Sequence, residues 1–273
     1  MDGDVEITYC LTAGLDDAAV REAVADLSPD ERARHDRLMR ERDRRDFAVA
    51  HALLRRSLSA RDDCAPHEWV FTNGAFGKPA LTPDAAARTR LSFNLAHTDG
   101  LVACVVARDV EVGIDVEAID RRADALGLAG RFFSPAEVAE LQRCADDARL
   151  LRFIEIWTLK EAYVKALGEG LSCPLHEFAF IFDEPRSLRF ESGRVSGTAA
   201  WQFALFQPSD RHRMAVAVVG RPPFEPRLAV RVHPRHDEEC LDRSVPIRTS
   251  PSSLSSPPAS HAEFGRVEAA RTT

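Results

Sequence analysis

No apolar run in this chain is long enough to cross a bilayer. The longest, Leu101 to Ala107, falls far short of the roughly 20 residues a membrane helix needs. The chain also opens on acidic Met1-Asp2-Gly3-Asp4, where a secretory signal would be basic, so no membrane association and a cytoplasmic location are expected. No two cysteines form a CxxC pair. Cys10, Cys64, Cys104, Cys144, Cys173 and Cys240 are widely scattered, which removes the usual zinc and dithiol motifs and fits reduced, mostly buried thiols. Positive charge is not in excess either, since 36 Lys plus Arg against 43 Asp plus Glu leave a net charge of −7. Nonspecific nucleic-acid binding is therefore not expected, and an anionic substrate would have to meet a local basic patch. What remains is the make-up of a soluble globular protein, 45% hydrophobic and 29% charged. Its 273 residues are enough for one large domain or two ordinary ones.

After about Phe224 the chain turns rich in Pro and Ser, as in Ser250-Pro251-Ser252-Ser253. Residues 225–273 read as a largely disordered tail, unable to bury enough apolar surface to offset its entropy. Within 1–224, Leu27-Ser28-Pro29-Asp30-Glu31 and Phe133-Ser134-Pro135-Ala136-Glu137 share one pattern. Each has Ser at an N-cap, Pro in the first turn and Glu three residues after the Ser, a capping box that opens a helix. A long helical stretch follows each box, Arg40 to Leu58 and Ala148 to Leu167, and then short β-like runs; a strand precedes each, Val5 to Leu11 and Val110 to Val116. This order implies a duplicated α+β unit, with one half at 1–109 and the other at 110–224. A cleft between two such halves is a natural ligand site.

Three groups of residues could carry chemistry. In the strand Val112-Gly113-Ile114-Asp115-Val116-Glu117, alternation sends Asp115 and Glu117 to one face and Ile114 and Val116 to the core. Two neighbouring carboxylates either face solvent or bind a hard metal ion through oxygen. In the helix from Ile156 to Gly168, Trp157, Glu161 and Lys165 lie four apart on one face with Lys160 on its shoulder. This is a surface ion pair or, because Trp157 marks a partly buried face, a group of functional charges. The third set is basic and polar: Gly77-Lys78-Pro79 in a loop, Asn94-Leu95-Ala96-His97 at a strand end, and Arg34, Arg44 and Arg45 after the first capping box.

In this order the pieces resemble the 4′-phosphopantetheinyl transferases of the surfactin-synthetase type. The resemblance is carried by Gly77-Lys78-Pro79, by Gly113 to Glu117, and by Phe133-Ser134 with Glu137 followed by Trp157-Thr158-Leu159-Lys160-Glu161-Ala162 through Lys165 to Gly168-Glu169-Gly170-Leu171. It spans about residues 5–220 and implies two pseudo-symmetric α/β halves in one chain, hence a monomer. It also implies transfer of the 4′-phosphopantetheine arm of coenzyme A to a serine of acyl or peptidyl carrier proteins of fatty-acid, polyketide or nonribosomal-peptide synthesis, with release of adenosine 3′,5′-bisphosphate. By the same resemblance Mg²⁺ is held by Asp115, Glu117 and Glu161, and the serine is deprotonated by Glu161 or Lys165. Lys160 contacts phosphate, Arg34 and His97 take the 3′-phosphate, and Gly77, Lys78 and Pro79 line the adenosine side. Two departures stand out. Ala96 replaces a serine that would offer phosphate a hydroxyl, and acidic Asp30 and Glu31 stand where some members have a lysine. Two other activities fit parts of the pattern: a carrier-binding module without turnover, and a different Mg²⁺-dependent transferase that cleaves another diphosphate.

Overall fold

The computed structural model describes residues 4–74, 77–120, 123–183, 186–193, 199–221, 227–232 and 246–250. The first half runs β1 (Asp4–Leu11), α1 (Asp17–Ala25), α2 (Pro29–Arg37) and α3 (Glu41–Ser59), then a hairpin of β2 (Phe71–Asn73) and β3 (Pro79–Leu81), α4 (Pro83–Thr89), β4 (Leu91–Thr98) and β5 (Leu101–Arg108). The second runs β6 (Glu111–Ala118), α5 (Ala125–Phe132), α6 (Pro135–Arg143) and α7 (Asp146–Leu167), a hairpin of β7 (Phe178–Ile181) and β8 (Arg189–Ser192), then β9 (Ala200–Ser209) and β10 (His212–Gly220). Both capping boxes form. Ser28 Oγ accepts from Glu31 N–H while the Glu31 carboxylate accepts from Ser28 N–H, and Ser134 and Glu137 repeat the exchange. They satisfy helix-end amides that have no intrahelical partner.

Duplication shows in the sheets. One contains β1-β5-β4 and the other β6-β10-β9, so the first strand of each half pairs antiparallel with the last and the last with the one before. The inner faces of the two sheets form one core, in which Val5, Ile7, Tyr9, Ala103 and Val105 meet Val112, Ile114, Val116, Met214 and Val216. On the outer face of the first sheet, Cys10, Val102, Cys104 and Val106 pack against Ala48, Leu53, Leu54 and Leu58 of α3. On the outer face of the second, Phe203, Leu205, Ala215 and Ala217 pack against Leu159, Ala162, Tyr163 and Ala166 of α7. The result is a helix–sheet–sheet–helix stack. Each fully buried Val, Leu or Ile contributes about 1.5–3 kcal/mol, and a one-residue slip of any central strand would turn its apolar set outward. The halves are joined where the buried Asn94 side chain of β4 accepts the Ile114 amide of β6 at 2.9 Å.

Residues from 225 onward are not uniformly tail. β11 (Arg227–Val232) adds to the first sheet parallel to β1, and β12 (Arg248–Thr249) adds to the second beside β9. Arg231 secures β11 by an ion pair to Glu6 at 3.1 Å. The disorder expected of residues 233–245 and 251–273 falls outside the described residues. Cys10, Cys64, Cys104, Cys144 and Cys173 are free thiols, and Cys240 falls outside the described residues. Burial pushes the thiols of Cys10 and Cys104 up to about 12, which makes them poor nucleophiles. Among the described residues no helix is long and apolar enough to cross a membrane.

Candidate active site at the seam of the two halves

Gly113 determines how closely α7 approaches β6. A β-carbon on Gly113 would lie 2.1 Å from the Ala162 carbonyl oxygen and 2.4 Å from the Ala166 nitrogen, so only glycine lets backbone meet backbone here. Asp115 and Glu117 follow at alternate positions and therefore share the face turned to α7, as the strand period requires. That face is not solvated, because Asp115 is buried. Its Oδ1 accepts from Lys165 Nζ at 2.6 Å, so the ion pair of Lys165 is with Asp115 across the helix–strand contact and not along the helix with Glu161.

The charges in this pocket act on one another. Burial pushes the Asp115 carboxyl up to about 7; Lys165 opposes the rise, and Glu117 and Glu161 add to it by repulsion. Burial likewise raises the Glu161 carboxyl, with Lys165 lowering and Glu117 raising it further. Asp115 Oδ2 is buried with no hydrogen-bond partner. An orphaned carboxylate oxygen beside two more carboxylates is a donor set for a hard divalent cation, so Asp115, Glu117 and Glu161 could hold one. As placed, no three His, Cys, Asp or Glu side chains among the described residues already converge on a metal position.

Lys160 does not serve this pocket. It is fully buried, and its ammonium pairs with the fully buried Glu137 at 2.8 Å. It also donates to the Leu175 and Phe178 carbonyls at 2.7 and 2.8 Å. Three donors meet three acceptors, and no proton is left for a phosphate; the expectation of phosphate contact is corrected. Glu137, legible beforehand only as a cap residue, also accepts from Phe180 N–H at 3.0 Å. The pair thus fastens α6, α7 and β7 together beneath Phe133 and Phe178. Phe133 and Leu141 are core residues.

On the first half, Arg34 is exposed on α2 with its guanidinium 5.3 Å from the Phe47 ring centroid, and Phe47 meets His51 in a tilted ring contact with centroids 4.1 Å apart. His51 Nδ1 lies 2.8 Å from Glu31 Oε1, and the buried Arg55 donates to Glu31 Oε2 at 2.7 Å. The acidic departure at Glu31 is therefore neutralised inside the half. His97 sits exposed at the end of β4. Partial burial lowers its pKa, and the field of Lys165 lowers it further, so His97 is within electrostatic reach of Lys165. Ala96 is buried in the inter-sheet core. A hydroxyl there would face apolar side chains, so its absence removes no phosphate contact. The Lys78 ammonium leaves its loop for the second half, donating to the carbonyls of Lys165 and Val112 at 2.7 and 3.3 Å.

One compositional signal foreshadows these attachments. Lysine occurs only at 78, 160 and 165, which leaves 36 − 3 = 33 arginines for the other cationic positions. Each lysine spans two elements around the seam or the helix behind it.

The profile of the 4′-phosphopantetheinyl transferase superfamily matches residues 111–218, from β6 through β10. The 4′-phosphopantetheinyl transferase HetI of Nostoc sp. is 33% identical over 204 residues, which cover 75% of this chain and 83% of that protein. The chain belongs to the 4′-phosphopantetheinyl transferase family. Another member, Sfp of Bacillus subtilis, is 29% identical over 155 residues, covering 56% of this chain and 65% of its own. Among solved structures, the holo-[acyl-carrier-protein] synthase of Thermotoga maritima shares 24% identity over 41% of this chain and 64% of that one, with a TM-score of 0.35. The span matched by the transferase profile contains Gly113, Asp115, Glu117, Glu161 and Lys165, whereas Arg34, Lys78 and His97 precede it.

Proposed function

We propose that this transferase moves the 4′-phosphopantetheine arm of coenzyme A to a serine of an acyl or peptidyl carrier protein and releases adenosine 3′,5′-bisphosphate. The observation that supports it most is the buried Asp115, with one oxygen bound to Lys165 and the other unpartnered, inside the field of Glu117 and Glu161. Asp115, Glu117 and Glu161 would hold Mg²⁺, which when bound draws negative charge from the pyrophosphate and steadies the leaving group.

The residues of the chain do the rest. The serine oxygen forms a bond to phosphorus as the bond from that phosphorus to the bridging oxygen of the pyrophosphate breaks, and the serine proton needs an acceptor. Lys165, donating to Asp115 as an ammonium, has no lone pair for it. Glu161, one turn earlier on α7, accepts the proton directly or through a water. Lys165 keeps Asp115 in place and offsets negative charge near the reacting phosphate. His97 and the guanidinium of Arg34 supply hydrogen bonds and charge for the 3′-phosphate, the local basic patch that an acidic chain must build for an anionic substrate. Both halves of the cleft come from one chain, which supports a monomer, and the lack of any membrane-length helix among the described residues agrees with a cytoplasmic enzyme.

The test is intact-protein mass spectrometry of an apo carrier protein incubated with the chain, coenzyme A and Mg²⁺, with a chelator control. A metal-dependent gain of one phosphopantetheine is expected, and it should vanish in Asp115→Ala and Glu161→Ala. No gain on acyl or peptidyl carriers by folded protein would refute the assignment. It would favour the carrier-binding module, in which binding survives Glu161→Ala.

A further inference from the structure

The turn between β2 and β3 is built to hold one side chain in one direction. Gly77 has a φ of 79°, a left-handed value open to glycine at little cost. Gly74 N–H donates to the Lys78 carbonyl at 2.8 Å, and Gly77 N–H to the Gly74 carbonyl at 2.9 Å. Pro79 opens β3 and restrains the preceding Lys78 to extended backbone. From this fixed base the Lys78 side chain crosses to the other half. The Lys165 carbonyl it binds belongs to the last turn of α7, where carbonyls have no intrahelical partner and the helix dipole favours a cation. The Val112 carbonyl it also binds lies directly before Gly113 on β6. One ammonium thus holds the helix that carries Glu161 and Lys165 and the strand that carries Asp115 and Glu117. A compact point charge with three rotatable donors suits two converging carbonyls, in a chain that uses arginine at nearly every other cationic position.

We propose that Lys78 is a positioning residue, a cap supplied by the first half to the end of the catalytic helix, which fixes α7 against β6 and so sets the Lys165–Asp115 geometry, and that its ammonium is not a coenzyme A ligand. The kinetic part rests on the transferase assignment above; the structural part does not.

The test compares the full-length parent with Lys78→Met. Amide hydrogen exchange, read by mass spectrometry, should accelerate about tenfold over residues 163–168 and 111–117 while α3 is unchanged. Unchanged protection at 163–168 would overturn the proposal. In carrier modification, kcat should fall about tenfold with KM for coenzyme A nearly unchanged, as expected when geometry and not binding is lost. A tenfold rise in KM at unchanged kcat would instead make Lys78 a coenzyme ligand. If Lys78→Met does not fold, amine acylation of the parent, read by peptide mapping, decides, because lysine occurs only at 78, 160 and 165 and each site is resolved from the N-terminal amine. Coenzyme A should leave the rate at Lys78 unchanged, and a tenfold slowing there would overturn the proposal. A parent that modifies no carrier would refute the transferase assignment while the exchange result still decides the role of Lys78.

Discussion

Replacing Lys160 by Met removes a charge from the most enclosed ion pair among the described residues while nearly keeping the volume of the side chain. Glu137 keeps its bonds from Ser134 N–H, Ser134 Oγ–H and Phe180 N–H, but its charge loses its only close cationic partner among the described residues, and the Leu175 and Phe178 carbonyls lose their donor. Breaking a buried pair from one side costs about 3–5 kcal/mol, because the remaining charge stays in a medium of low polarity. For a folded region of this size that corresponds to a fall in Tm of roughly 6–20 °C. Urea unfolding followed by circular dichroism measures it. A cycle with Glu137→Gln should show coupling of about 2–3 kcal/mol, the double variant being far less damaged than the sum of the singles. KM for coenzyme A should stay within about twofold of the parent in whatever fraction folds. A Lys160→Met protein that loses less than about 1 kcal/mol but binds coenzyme A tenfold more weakly would refute the reasoning and return Lys160 to the phosphates.

Gly113→Ala should destabilise by about 1–3 kcal/mol or more, because the new methyl meets helix backbone that cannot rotate away; the denaturation midpoint reads it, and turnover should fall with it. Asp115→Asn should abolish carrier modification while leaving the far-ultraviolet circular dichroism unchanged, and loss of that spectrum would show the carboxylate to be needed for folding instead. Although burial acts to raise the Glu31 carboxyl, bonds from His51, Arg55 and Ser28 N–H bring it down to about 2. A carboxylate depressed on folding stabilises above its unfolded pKa of about 4.3 and loses that contribution as pH falls toward 2. Glu31→Gln should therefore flatten the loss of stability between roughly pH 4.5 and 2, which acid titration of the two proteins compares.

Much of the architecture was legible because it rests on local rules. Ser28/Glu31 and Ser134/Glu137 are reciprocal caps, and the helices that follow them, Glu41–Ser59 and Asp146–Leu167, fall within two residues of the stretches read from periodicity. The shared face of Asp115 and Glu117 follows from the period of a strand. What was not legible depended on neighbours distant in sequence. On a helical wheel Lys160 sits beside Glu161, yet α7 is covered by sheet on one side and by the β7–β8 hairpin on another, so adjacent charges enter different environments. Ala96 and His97 differ in the same way, one facing the core and one exposed. The strand Arg227–Val232 was hidden by averaging composition over a Pro- and Ser-rich stretch, although its own alternation, Leu228, Val230 and Val232 against Arg227, Ala229 and Arg231, is that of an edge strand.

That strand bears on the order in which the protein can be finished. β1 is made before its neighbour β11, which begins 227 − 11 = 216 residues after β1 ends. At about 5–20 residues per second the interval is roughly 10–40 s. From the time β5 has joined it until β11 arrives, β1 presents the backbone donors and acceptors of Asp4–Tyr9 as an open edge, the surface on which strands of other chains pair. A nascent chain stalled after β5 and before β11 would thus carry an unpaired strand edge open to aggregation.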